Sequence, residues 1–384
     1  KPARASAGDV VAEVERRIAA QIAAILEDPA FAGLERAWRG LRFLLRHTNR
    51  RAHCFVHAIS AGRDEAATAA RSVLIDAADD QPAGLGLLVS AFDYGAGPAE
   101  TALLQALAEV GAEIQVVTVA SAAAAFVHGG DGNLAAHRDP ETLFQDAAYG
   151  PWSSLRAKPA TRWLGLAANR VQLRGAHDLT AERRLAFATE NRVGPALEAG
   201  GAWIVAALAA ESAAETGWPS ELTGPQRVID GLTLYDAATE GSTVFAVALP
   251  LRPDAAGSLA NAGLIALVGQ ANRDIARLVR VPGVHATRAD PAGDLPRHGT
   301  LDYQLLVSRL IRQIEGNADL IFSAGGPDGI RAAMDAFLTG LMGPGATVRV
   351  ALETDDADEQ VLAIQVTTGH DILGGVTVPL DLPI

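Results

Sequence analysis

From Asp9 to Leu26 the apolar residues Val10, Val14, Ile18, Ile22 and Ile25 recur at spacings of four and three. That spacing puts them on one side of a helical wheel and predicts an amphipathic helix. Asp28-Pro29 breaks the pattern, and a second helix is predicted from about Ala30 to Arg46. Its apolar face carries Leu34, Trp38, Leu41 and Leu45, expected to pack into the core, with Trp38 as a packing residue. Glu35 and Arg39 stand four apart in the favourable order and are expected to form a solvated pair. Asn49 and Arg50-Arg51 mark the turn that follows.

The pattern then alternates. His53 to Ile59, Gly86 to Phe92 and Ile114 to Val119 read as strands, and Asp64 to Leu74 and Pro98 to about Val110 as helices. This β-α-β-α-β order argues for an α/β core around a parallel or mixed sheet. Gly- and His-rich residues 128–133 predict a turn, Tyr149 to Leu155 a short helix and Trp163 to Val171 another strand. Leu173 to Asn191 is charged and aperiodic, which predicts a surface excursion. Ala196 to Thr216 is apolar on every side and predicts a buried helix. Thr243 to Leu249 predicts a strand, and Ser258 to Leu278 one long helix weakened by Gly263 and Gly269. Asp302 to Glu315 and Pro327 to Leu341 predict two more helices. Thr347 to Glu353, Gln360 to Thr367 and Val376 to Leu380 alternate apolar and polar residues and predict antiparallel strands with an acidic hairpin tip at 355–359. The organisation expected is a helical segment at 1–50, an α/β core at 51–172, the excursion at 173–195, a second α/β part at 196–345 and β strands at 346–384 for pairing between subunits. The fold class is therefore α/β: a mixed-sheet core with flanking helices, plus a C-terminal β-rich assembly segment.

Composition narrows the possibilities. A chain of 384 residues that is 49% hydrophobic can bury a sizeable core, but only 5% is aromatic, so its packing rests on many small side chains. The net charge of −13 gives no basic footprint for nucleic acid or for anionic lipid. No apolar run is long enough for membrane insertion; the longest, Ala199 to Ala210, is too short. Cys54 is the only cysteine, which rules out an intrachain disulfide and fits a cytoplasmic location.

Candidate chemistry is scattered. Gly84 and Gly86 precede a predicted strand instead of following one, and no phosphate-loop pattern occurs. His53 and His57 lack the companions of a metal site, Cys54 lies among apolar residues, and Asp79-Asp80 and Asp355-Asp356 fall in polar turns. No catalytic, cofactor-binding or metal-binding set converges, and the chain is expected to be no enzyme and to require no cofactor.

The most specific signal lies in the second helix. Leu34-Glu35-Arg36-Ala37-Trp38-Arg39-Gly40-Leu41, continuing to Leu44 and Leu45, resembles the large sheath subunit of bacterial type VI secretion systems, the TssC (VipB or ImpC) family. Residues 25–31, Leu88 to Tyr94, Pro151 to Arg156, Leu164 to Val171 and Gly201 to Trp218 resemble further family segments in the same order. There are departures. Ala168-Asn169-Arg170 stands where the family has Met-Pro-Arg, Arg174-Gly175 stands where it has Tyr-Gly, and usual members are longer. A divergent or shortened member, or part of a longer chain, is expected.

The resemblance implies a structural subunit of a contractile sheath that assembles helically around an inner tube and propels it by contracting. It implies as partners a small, TssB-like sheath subunit, further copies of the chain, an Hcp-like tube protein and a recycling ATPase. Candidate contacts follow from that reading: Arg309, Arg312 and Arg331 toward the tube, and Val361, Ile364, Val366, Val376 and Val378 in strands shared between subunits. Two alternatives remain open from the residues, a divergent nucleotide-binding α/β enzyme and a non-contractile baseplate or adaptor homologue.

Overall fold

The computed structural model describes residues 7–76, 84–127, 140–175, 196–235, 242–287, 296–354 and 360–383. The expected turn at 128–133, most of the charged excursion, Asp79-Asp80 and the acidic tip at 355–359 lie outside those residues. Two helices open the chain, α1 (Ala7–Glu27) and α2 (Pro29–His47). Asp28 separates them because its carboxylate accepts the N–H groups of Ala30 and Phe31, capping α2 with proline at its first turn. Next come α3 (Ala66–Arg71), β1 (Leu87–Tyr94), α4 (Pro98–Glu113), β2 (Val117–Ala122), α5 (Ala124–Val127) and α6 (Gly150–Arg156). The middle of the chain forms β3 (Leu164–Ala168), β4 (Arg170–Arg174), β5 (Leu197–Gly200), α7 (Ala202–Thr216), α8 (Pro253–Asn261), β6 (Leu264–Gly269) and β7 (Ala276–Leu278). The last part forms α9 (Leu301–Glu315), α10 (Ala318–Phe322), α11 (Gly326–Met342), β8 (Thr347–Thr354), β9 (Gln360–Thr367) and β10 (Thr377–Pro383).

The main sheet has the order β1-β2-β3-β6-β7; its first four strands run parallel and β7 runs antiparallel to β6. Strand alternation sends its side chains into two cores. Val117, Val119, Ala167, Ile265 and Leu267 meet α7 and α9 on one face. Ala120, Leu164, Leu166, Leu264 and Ala266 meet α4, α6 and α8 on the other. A sheet buried on both sides reads as continuous apolar sequence, which is why β3 and β6 show no alternation. The helix α2 lies outside α7, as a further layer. The C-terminal sheet, β10-β9-β8, is antiparallel. It drives Val350, Leu362, Ile364, Val366 and Val378 into the same core as α7 and α9. A mixed α/β fold with a separate C-terminal sheet is therefore present as expected.

Several elements differ from expectation for identifiable reasons. The long helix at 258–278 is instead α8, β6 and β7. Gly263 adopts φ +84°, and a side chain there would lie 2.8 Å from Arg156 Nε, so the chain leaves the helix at that point. The strand expected from Trp163 to Val171 is split between two sheets at Asn169, whose φ is +79°. Residues 197–200 form β5 against β4 instead of starting the helix, because Gly200 and Gly201 let the backbone press on Ser121 and Leu267. Residues 53–59 gain no strand partner, and His53 takes a left-handed φ of +56°. From Thr243 to Leu249 only a single bridge forms, between Val247 and Val171.

Asn169 is the joint of this arrangement. Its buried amide donates to the carbonyls of Leu249 and Leu267, and its oxygen accepts from the N–H of Leu249. Asparagine tolerates the left-handed backbone that this corner needs. Asn169→Ala leaves those groups unpaired and strains the backbone. Chemical denaturation should show a loss of about 3 kcal/mol, where an unimportant polar residue would give almost none.

Candidate assembly surfaces

The face of α2 turned inward is not the one its apolar periodicity suggests. Gly40 and Leu44 are its buried residues. A side chain on Gly40 would collide with the Trp203 indole of α7, so the bare Cα at 40 is what allows the ring to seat. Trp203, Leu44, Ala199 and Ala206 form a small core with Leu41 and Phe43 at its margin. This rotation turns the other stripe outward. Trp38 is 65% exposed, Leu34 59% and Leu45 51%. The expectation that Leu34, Trp38 and Leu45 pack the core is therefore corrected; of that stripe only Leu41 faces inward, beside Gly40, Phe43 and Leu44.

Polar side chains fix this orientation. Glu35 is not a solvated partner of Arg39 alone. It accepts from Arg39 at 2.6 Å and from two nitrogens of Arg174 at 3.0 and 3.1 Å. Arg174 had been expected at the start of an exposed excursion; it ends β4 with its side chain only 9% exposed. Arg36 donates to the carbonyl of Glu198 at 2.8 Å, and His47 Nδ1 lies 2.7 Å from Glu211 on α7. Beneath them Arg170 joins Asp93 at 2.8 Å and Glu198 at 2.9 Å. Sequence reasoning missed Arg174, Glu198, Trp203 and Glu211 as partners of α2, because the pairs lie about 140–165 residues apart and no local period signals them.

Helix α1 exposes apolar residues as well. Val10, Val11, Val14, Ile18 and Ile25 are exposed, as is Phe31 at the start of α2. Only Leu26 of α1 is buried. Two adjoining helices thus present large aliphatic and aromatic groups to solvent, more than scattered exposure on a monomer explains. No described helix is long and apolar enough to cross a membrane.

The C-terminal sheet has two unlike edges. Val361, Ile364 and Val366 lie on the central strand β9, whose sides are both taken by β8 and β10. They are not available to another chain's backbone, and Val378 is buried in the core. Thr368 N–H donates to the Val376 carbonyl, so by ladder alternation residues 378, 380 and 382 face β9 and residues 379, 381 and 383 face outward. Pro379 and Pro383 therefore remove two donors from the outer edge of β10. The register places the backbone groups of Val348, Val350, Leu352 and Thr354 on the outer edge of β8, where no described strand pairs with them.

The arginines expected to meet a tube are placed differently from one another. Arg309 and Arg312 sit on α9, most of which is buried. Burial holds the Arg309 guanidinium below its usual value. Arg312 pairs with Glu315 and donates to the Ile114 carbonyl. Arg331, on α11, is 40% exposed and 3.9 Å from Asp328. As for chemistry, burial pushes the Cys54 thiol up, which disfavours the thiolate, and His53 and His57 are exposed. Among the described residues no group of three or more His, Cys, Asp or Glu is arranged to hold a metal ion.

Glu35 supplies a direct test of the seam. The hydrogen bond from Arg174 holds its carboxyl below the usual range; burial opposes this and Arg39 adds to it. Its stabilisation is thus fully present above the unfolded carboxylate value of about 4.3. It is lost as the pH falls through the lower folded value. Glu35→Gln should cost about 2 kcal/mol at neutral pH, because the largely buried Arg174 guanidinium loses its charged pair with Glu35. In urea titrations the gap from wild type should close in acid.

The comparisons with known proteins concern this same region. Residues 8–285 match the family model described as EvpB/VC_A0108, tail sheath N-terminal domain. The chain is also 23% identical over 298 residues to the type VI secretion system sheath protein TssC1 of Pseudomonas aeruginosa, a match covering 70% of this chain and 59% of that relative. The chain thus spans about three-fifths of the length of the curated relative it matches.

Proposed function

Since the chain belongs to the type VI secretion tail-sheath family, as a large subunit of that sheath, we propose that it assembles helically around an inner tube and drives the tube outward by contracting. The observation that carries this reading is the exposed apolar stripe of α1 and α2. A stripe of large hydrophobic groups held outward by a buried polar seam is what an obligate interface looks like before its partner arrives. The small, TssB-like sheath subunit is proposed to cover it. Neighbouring copies and the Hcp-like tube protein would complete the assembly, which lies in the cytoplasm, and an ATPase would recycle it.

The work is proposed to come from packing, with no bond chemistry or cofactor. Sheath protomers joined by heterologous contacts propagate into an open helix, and a change in each contact of about 1.4 kcal/mol shifts its local equilibrium tenfold. Of the two helices first considered for the tube, α11 with Arg331 is the better candidate, since α9 offers little outward surface. Strand sharing is proposed at the outer edge of β8, which keeps its donors, rather than through β9 or the proline-blocked edge of β10.

Two substitutions test these surfaces separately. Trp38→Asp puts a charge in the exposed stripe. It should leave the melting of the isolated chain within about 0.5 kcal/mol of wild type, as exposed substitutions usually do. It should abolish co-purification with the small sheath subunit. Unchanged co-purification would remove the stripe from the interface. Val348→Pro removes one outward N–H from β8 and should permit heterodimers yet stop their growth into tubes, as seen by electron microscopy; tubes of normal length would place strand sharing elsewhere.

A further inference from the structure

From Arg36 to Arg63 the chain holds seven arginines and three histidines and no acidic residue, although its net charge is −13. Four of the arginines stand together at the C-terminal end of α2 and in the turn beyond it. Arg42 and Arg46 lie one helical turn apart, beside the exposed Trp38 and Leu45. Arg50 and Arg51 follow in a tight helical turn (Arg50–Ala52). Asn49 fixes that turn by accepting the Arg51 N–H, and the His53 N–H donates to the Arg50 carbonyl. All four arginines are exposed, as are His53, Phe55 and His57 just after them.

These four side chains lack what other surface arginines have. Arg16, Arg17, Arg63, Arg71 and Arg252 are exposed too, and each reaches a carboxylate. Arg36, Arg39 and His47 of α2 are taken by the Glu198 carbonyl, Glu35 and Glu211. Among the described residues no carboxylate pairs with Arg42, Arg46, Arg50 or Arg51. Like charges one helical turn apart destabilise a helix. The dipole of α2 favours cations only in its last turn, where Arg46 and His47 already stand. The cluster is therefore unfavourable in the isolated chain and suited to carboxylates from another molecule.

The complementary charge lies at one end of the C-terminal sheet. Glu353 on β8 and Asp381 on β10 are exposed on the face turned away from the core. Thr354 and Gln360, the last pair of the β8–β9 ladder, are exposed as well. The sequence between them reads Asp355-Asp356-Ala357-Asp358-Glu359. The cation of these three strands, Arg349, stands four residues back from Glu353. We propose that the arginine cluster of one copy of the chain receives this acidic end of the C-terminal sheet of a second copy. Glu353 and Asp381 pair with none of the four arginines of their own chain. The two surfaces are unlike and belong to one chain, so the contact is head to tail, the kind that repeats into a ring or an open helix. Exposed ion pairs are individually weak and are screened by salt, so such a joint can be remade as protomers repack. Nucleic acid is the other polyanion that arginines beside Trp38 and Phe55 would accept, but a net charge of −13 opposes its approach.

The contact is a property of the chain; its repetition along a tube rests on the sheath function proposed above. Cross-linking of the full chain tests the contact without any tube. Arg42, Arg46, Arg50 and Arg51 are each replaced by Lys, which keeps the charge and supplies amines; the chain's own lysines are Lys1 and Lys158. Isotopically light and heavy chains are mixed at low salt and treated with a carbodiimide, which joins an amine to a carboxylate in contact with it. Mass spectrometry should find amides from the four lysine positions of one isotope to Glu353, residues 355–359 or Asp381 of the other. Their yield should fall about tenfold in about 1 M salt, where the screening length is about 3 Å. Absence of light–heavy links at these sites, links confined to one isotope, or a yield indifferent to salt overturns the contact. So does a single-stranded oligonucleotide that binds the wild-type chain and suppresses the links. With the small sheath subunit present, changing the four arginines to Glu should keep heterodimers and stop tube growth. Adding a chain with Asp355, Asp356, Asp358 and Glu359 changed to Arg should restore growth; tubes of normal length from the Glu variant alone overturn the contact. If the wild-type chain forms no tubes, the sheath reading fails and the cross-links still decide the contact.

Discussion

The seating of Trp203 against Gly40 determines which way the second helix faces. Any side chain at 40 would strike the indole, so the glycine is required by that contact rather than by backbone flexibility. Once the ring is in place, Leu44 turns inward and Leu34, Trp38 and Leu45 turn out. Glu35, Arg36 and His47 then reach Arg174, the Glu198 carbonyl and Glu211. A helix that points Leu34, Trp38 and Leu45 to solvent is unfavourable alone. It is held there because ionic and hydrogen-bonding groups would be buried unpaired in the opposite orientation. The tryptophan of this segment is thus held outward in this chain.

The same economy shapes the rest of the chain. A sheet covered on both faces, with small residues such as Gly165, Gly200 and Gly201 where layers approach closely, gives a rigid platform for α2. Asn169 turns the chain from that sheet into β4, which carries Arg170 and Arg174 beneath α2. At the other end the C-terminal sheet is packed on one face, and among the described residues no strand pairs with its β8 edge, while prolines interrupt the β10 edge. An apolar stripe and an open strand edge on one chain are liabilities for a monomer and are what a repeating assembly uses.

Much of this was legible in the sequence, and what was not has a physical cause. The heptad-like spacing of α1, the Asp28-Pro29 start of α2 and the alternation of β8, β9 and β10 are local signals, and each predicted its element. The segment from 258 to 278 misled because a strand buried on both faces and a buried helix are equally apolar; only Gly263 distinguished them. The stripe of α2 misled because periodicity reports that a face is apolar and cannot say what will cover it. The partners of Glu35, Arg36 and His47 were invisible because the fold brings them from far along the chain. That Val361, Ile364 and Val366 fall on the central strand was not legible either, since the strand order of an antiparallel sheet is not written in its alternation.

The central claim is that the outward stripe of α1 and α2 is an interface kept open for a sheath partner. Cryo-electron microscopy of the chain co-assembled with a small sheath subunit measures this directly. The account predicts helical tubes in which Leu34, Trp38 and Leu45 are buried against the partner while the Glu35–Arg174 pair and the Gly40–Trp203 packing stay as they are in the free chain. Tubes in which Trp38 still faces solvent, or in which α2 has rolled to bury its own stripe, would contradict it.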